Sequence, residues 1–149
     1  MKVLLTIDDS ACSEAATEML VQQIRLESSD ACVFHVVVPL VLIPYKYMGQ
    51  AESLAEAEQE KLKEGKELVD RTAQKLQTAG FKVQTGIEEG DPKEAILEKA
   101  KQWNTDVIFM GSHGRKGLDR FLIGSTSQTV LRHASCSVEI VRLPARRTS

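Results

Sequence analysis

The chain has few cysteines, no long apolar run and no strong excess of charge, and each shortage narrows what it can be. Cys12, Cys32 and Cys136 are odd in number and lack C-x-x-C spacing, so there is no disulfide framework to read. They read as reduced thiols in a reducing compartment. A zinc site would need more ligands than lie near them. No stretch reaches the roughly 18 apolar residues of a membrane span. The apolar start, Val3-Leu4-Leu5-Thr6-Ile7, meets Asp8 too early for the h-region of a secretory signal. A cytoplasmic location is the expectation. The formal net charge is −2, which predicts no bulk attraction to nucleic acid or to an anionic membrane. Arg142, Arg146 and Arg147 form a basic cluster that reads as a solvated tail, with residues 143–149 flexible. A Gly-x4-Gly-Lys-Ser/Thr phosphate loop is also missing.

What is present is an alternation. The length of 149 residues suits one domain with a sizeable core, here spanning 1–149. Val3–Ile7 reads as a strand. Ser10 or Ser13 can cap a helix with Ala15, Ala16, Met19, Leu20, Gln23 and Ile24 along one face. Ala31–Val38 is a second, almost purely apolar strand, as expected where both faces are covered. Residues 39–50, with Pro44 and Gly49, read as an irregular connection. Ala51–Ala79 is a strong helix by propensity, with Leu54, Leu62, Leu68, Val69 and Leu76 as its apolar stripe and Gly65 as a close packing contact. Gly80 ends it.

Phe81–Ile87 suits an edge strand. Asp91 and Pro92 start a helix that buries Ile96, Leu97, Ala100 and Trp103. Val107–Met110 is a fourth strand, Gln128–His133 a last helix that can start near Gly124, and Val138–Val141 a fifth strand. Strands alternating with helices predict an α/β, doubly wound domain. Its five-stranded parallel sheet would have helices on both faces and the order 3-2-1-4-5. Ligands then sit beyond the carboxyl ends of the strands, where connections diverge.

The most telling stretch is Gly111-Ser112-His113-Gly114, then nine residues, then Gly124-Ser125-Thr126-Ser127. A strand runs into it and a helix leaves it. Glycines let backbone approach an anion, and a helix start offers free N–H groups. Asp8, an anion itself, fits an acceptor of ribose hydroxyls or an indirect partner of a divalent ion better than a phosphate contact. Arg115, Lys116 and Arg120 either screen phosphate or form a solvated face. His113 is open to loop packing, a phosphate hydrogen bond or acid–base work. His35 reads as a satisfied core histidine.

The G-x2-G-x9-G-S pattern, the first strand ending in Asp8, His35-Val36-Val37, Gly90-Asp91-Pro92 and the closing Val138-Glu139-Ile140-Val141 together resemble the ATP-binding branch of the universal stress protein family over almost the whole chain. Asp9 and the pair Cys136-Ser137 depart from the family's usual glycine and proline. The resemblance implies that Thr6 and Asp8 lie beside the adenosine and that Val36 contacts adenine through its backbone. It also implies that Met110, Gly111 and Gly114 line the ribose and phosphates, while Gly124, Ser125, Thr126 and Ser127 hold the phosphates.

The implied function is an ATP-binding stress-response regulator, a nucleotide-dependent switch with Mg²⁺ or Mn²⁺ held through the phosphates. No residue reads as catalytic, so hydrolysis would be slow at most. A homodimer through strand 138–141, an unpaired edge, is expected, together with an unidentified protein partner. The alternative is a dimeric protein-interaction module that binds AMP or no nucleotide. A third reading, a true nucleotide-processing enzyme, lacks the paired carboxylates or nucleophile it needs.

Overall fold

Val3, Leu4 and Leu5 are consecutive and all fully buried, which requires a strand covered on both faces. That strand is β1 (Lys2–Thr6), the centre of a five-stranded sheet in the computed structural model. The structure describes residues 1–24, 29–40, 53–114 and 123–143. The expectations for residues 41–50, for Arg115, Lys116 and Arg120, and for the tail 144–149 lie outside them.

The chain continues through α1 (Ala11–Gln23), β2 (Asp30–Val37), α2 (Leu54–Thr78), β3 (Lys82–Glu89), α3 (Pro92–Gln102), β4 (Val107–Gly111), α4 (Ser125–His133) and β5 (Ser137–Val141). The sheet order is β3-β2-β1-β4-β5 and every pairing is parallel, the predicted arrangement. Side chains of a strand alternate between faces. Val3, Leu5, Ala31, Val33 and Phe109 therefore join the core under α1 and α2. Leu4, Cys32, Phe34, Ile108 and Met110 join a second core under α3 and α4. Burial pushes the Cys32 thiol up, against a smaller lowering from Lys99, so it stays neutral and unreactive.

Two helix faces differ from the sequence expectation. In α1 the buried residues are Cys12, Ser13, Ala16, Thr17 and Leu20. Ala15, Met19 and Ile24 are half-buried and Gln23 is exposed. In α2 the buried set is Ala57, Gly65, Val69, Thr72, Ala73 and Leu76, while Leu54 and Leu62 are 45% and 54% exposed. The reason is proximity. A Cβ at Gly65 would stand 2.9 Å from His35 Cδ2, so at this point the α2 backbone rides directly on β2 and leaves no room for a side chain. Hydrophobic spacing alone is blind to that.

The caps follow local chemistry. Ser10, not Ser13, caps α1: its Oγ accepts from the Ser13 N–H at 3.1 Å. Ser53 and Asp91 cap α2 and α3 in the same way. At the end of α2, Gly80 takes φ +100°. Its N–H donates to Gln77 O at 2.9 Å, and Phe81 N–H donates to Leu76 O at 3.0 Å. This is a Schellman closure, with buried Leu76 against buried Phe81. Gly80→Ala should lower stability by about 1–2 kcal/mol, because a Cβ is strained at that φ. A lower urea midpoint at unchanged slope is expected; an unchanged midpoint would show that the closure contributes nothing.

Candidate nucleotide site

β1 lies between β2 and β4, and its loop departs to α1 on one face while the loop after β4 leads to α4 on the other. A crevice opens where they diverge. Register fixes its floor. Thr6 pairs with Phe34, Leu5 with Phe109, Phe34 with Gly86 and Met110 with Ile140. One row therefore reads Gly86, Phe34, Thr6, Met110, Ile140 across the face that carries α3 and α4. Above Phe34, Thr6 and Met110 is a cleft of about 190 Å³. Val36 and the α3 residues Pro92 and Ile96 wall it, and Asp8, His113 and Thr126 stand at its polar side.

Of the residues expected at the site, Thr6, Asp8, Val36, Met110, Gly111, Gly114, Thr126 and Ser127 line this cleft. Gly124 and Ser125 do not; they flank it as the cap and first residue of α4. Pro92, Ile96, Phe34, Ser10 and Ser13 are lining residues that the sequence reading did not assign. The Asp91-Pro92 helix start was legible, and its position over the sheet follows once α3 and α4 share a face.

Hydrogen bonds sew the loops together. Gly124 N–H donates to Ser112 O at 2.7 Å, and Ser112 N–H donates to Val141 O at 2.9 Å. The Ser127 hydroxyl donates to Gly111 O at 2.8 Å. That bond consumes the proton expected to reach a phosphate, so Ser127 can serve an anion only through its backbone N–H. The hydroxyls of exposed Ser125 and half-buried Thr126, with the first-turn N–H groups of α4, remain as donors. The Gly124 cap has no side chain to cover them.

Asp8 is held from two sides. Its N–H donates to Ser13 Oγ at 3.0 Å, and its Oδ1 accepts the Ser10 N–H at 2.9 Å. A Cβ at Gly114 would lie 3.1 Å from Asp8 Oδ2, so that oxygen stands at the glycine loop. Asp8 is the one carboxylate among the described residues lining the cleft. No group of three or more His, Cys, Asp or Glu among the described residues could hold a metal.

His35 is a structural tie: Nδ1 donates to Ile7 O at 2.8 Å. His113 Nδ1 pairs with Ser112 Oγ at 3.0 Å. Its Nε2 is buried and has no hydrogen-bond partner among the described residues.

The glycines of the motif do different jobs. A Cβ at Gly111 would stand 2.7 Å from both Cys12 C and Cys12 Cβ, so this glycine admits the first turn of α1 rather than an anion. Gly111→Ala should cost about 1–3 kcal/mol in urea unfolding without any ligand, as overpacking against backbone does. Gly114 is exposed and faces a movable carboxylate. Gly114→Ala should therefore change stability by no more than about 0.5 kcal/mol. Equal losses in the two variants would refute this division.

The chain matches the family model described as "Universal stress protein family" over residues 1–142. It is 32% identical over 152 aligned residues to universal stress protein Sll1388 of Synechocystis, covering 95% of this chain and 97% of that protein. Its fold superposes on universal stress protein UspA of Lactobacillus plantarum with a TM-score of 0.80 at 26% identity, covering 95% of this chain and 97% of that one. An Arabidopsis thaliana family protein with AMP bound shares the fold at a TM-score of 0.66 and 20% identity, covering all of this chain, 100%, and 96% of its own. The chain belongs to the universal stress protein family.

Proposed function

We propose that the protein is a regulatory switch of the family's ATP-binding branch, acting in the stress response. The carrying observation is the pairing of a flat, largely apolar floor with an uncapped helix start across one crevice. The floor of Phe34, Thr6 and Met110 suits one face of a heterocyclic base. The first turn of α4 suits phosphates. Asp8, between them, suits ribose hydroxyls. AMP bound to the Arabidopsis relative supports an adenine nucleotide as the ligand class.

ATP fits this donor set with Mg²⁺ or Mn²⁺ carried on its phosphates, since among the described lining residues Asp8 is the one carboxylate. The ion would neutralise phosphate charge. The chain's own contribution is to hold the nucleotide by Thr6, Asp8, Val36, Met110, Gly111, Gly114, Gly124, Ser125, Thr126 and Ser127. Hydrolysis is slow at most on this reading: among the described residues no nucleophile or exposed base stands beside the phosphate position. The reading includes a cytoplasmic protein. No helix among the described residues is long and apolar enough to cross a membrane, and all three cysteines are unbonded.

It also includes a homodimer through residues 138–141 and a further, unidentified protein partner. β5 is an edge strand whose Val138 and Ile140 are half-buried, and an unprotected edge invites pairing. The alternative, a dimeric interaction module that takes AMP or nothing, draws on the AMP-bound relative.

Mass spectrometry of nucleotide released from purified protein, followed by calorimetric titration with ATP and Mg²⁺, tests the ligand. ATP should bind, and Gly114→Val with Gly124→Val should abolish binding. A Cβ at Gly124 would already lie 3.0 Å from Ser112 O. Absence of ATP binding would leave the interaction module standing. Separately, Ile140→Lys should convert dimers to monomers in sedimentation; an unchanged dimer would move the interface elsewhere.

A further inference from the structure

Gly86 is a glycine inside a strand, where it weakens pairing and offers no side chain to pack. It lies on edge strand β3, outside the lining of the cleft and outside the glycine motif. Its partner in register is Phe34. A Cβ at Gly86 would stand 3.0 Å from Phe34 Cδ2 and 3.5 Å from Cε2. The Phe34 ring therefore leans over the bare backbone of β3. Lys99 closes over the same ring from α3, with Nζ 5.8 Å from its centroid. Phe34 is 1% exposed, so it has no slack on these sides. Beside it in the row is Thr6, and both line the cleft.

We infer that Gly86 is a positioning residue that sets the width of the base-binding floor by letting Phe34 lie back over β3. The inference rests on the nucleotide reading above. A side chain at position 86 meets the ring, and the ring answers by moving toward Thr6. The floor then narrows under the ligand, although nothing the ligand touches has been replaced. The chemical consequence is a size filter: a two-ring base needs the full floor, a one-ring base less of it.

The experiment is calorimetric titration of ATP and CTP, each with Mg²⁺, into the full chain and two variants. Gly86→Val should raise the ATP Kd about tenfold, the size of an overpacking penalty. It should raise the CTP Kd less, so the preference for ATP falls. Gly86→Ala should act in the same sense and more weakly, and it covers the case in which valine prevents folding.

A general loss of structure would weaken both nucleotides alike, and an equal loss for ATP and CTP would overturn the inference. So would an unchanged ATP Kd in folded Gly86→Val and Gly86→Ala. Failure of the unaltered protein to bind ATP or AMP is a separate outcome: it removes the nucleotide reading before any variant is compared.

Discussion

The first turn of α1 touches the end of β4 with no atoms to spare, and much of the crevice depends on that contact. Where a Cβ at Gly111 would collide with Cys12 main chain, helix and strand meet backbone to backbone. The same approach brings Ser112 beside Cys12, at 3.7 Å between Oγ and Sγ. It also brings the Ser10 hydroxyl within 3.3 Å of His113 O. The loop after β1 and the loop after β4 are thus one unit. Ser127 then bonds Gly111 O and draws α4 into it. Elements from both faces of the sheet end at one spot, and each is located by main-chain groups. A site located this way is rigid in outline.

The two faces of the sheet solve different problems. Under α1 and α2 the helices ride close, and the seam is lined by Ala16, Ala57, Gly65 and Ala73. Under α3 and α4 the core is built from Leu4, Phe34, Ile96, Ile108 and Met110. The second core is the one that stops short at its upper edge. There Thr6 interrupts the apolar row, and the space above it is the cleft. The site is the place where one core has been left unfinished.

The strand order was legible because two sequence signals agree on it. Alternating strands and helices demand a parallel sheet, and the order 3-2-1-4-5 puts the glycine motif after the fourth strand at the crevice beside β1. The helix faces were less legible. Leu54 and Leu62 advertise a stripe by hydrophobicity, yet the sheet takes Ala57 and Gly65 because the distance between layers, not apolar character, selects the residue. Half of the cleft lining was legible, at the motif and on β1 and β2, through the family resemblance. Pro92 and Ile96 were not, since their contribution depends on which face α3 crosses to. The bond of Ser127 to Gly111 was hidden for a similar reason: a hydroxyl in a phosphate motif looks like a ligand until the structure shows where its proton goes.

A cleft built in this manner has consequences for what it can do. Enzymes that work on phosphates set ionisable side chains around the reacting atom and tune them. Among the described residues the polar side here consists of main-chain N–H groups, hydroxyls, His113 and Asp8, whose Oδ1 already holds the Ser10 N–H. His113 is tied through Nδ1 to Ser112 and enclosed at Nε2. Such a set can grip an anion. On the proposed reading, binding energy therefore goes into the protein. A ligand spanning Asp8 and the start of α4 adds a third tie between elements that Gly111 and Ser112 already join. It can shift a conformational equilibrium only by as much as it prefers the tied state. The ties fall at the carboxyl end of β4, whose other neighbour is β5. Ser112 N–H is bonded to Val141 O, the last residue of that edge strand. Ser112, which lies in sequence between the cleft-lining Gly111 and His113, thus joins the cleft loop to the edge strand through one main-chain hydrogen bond.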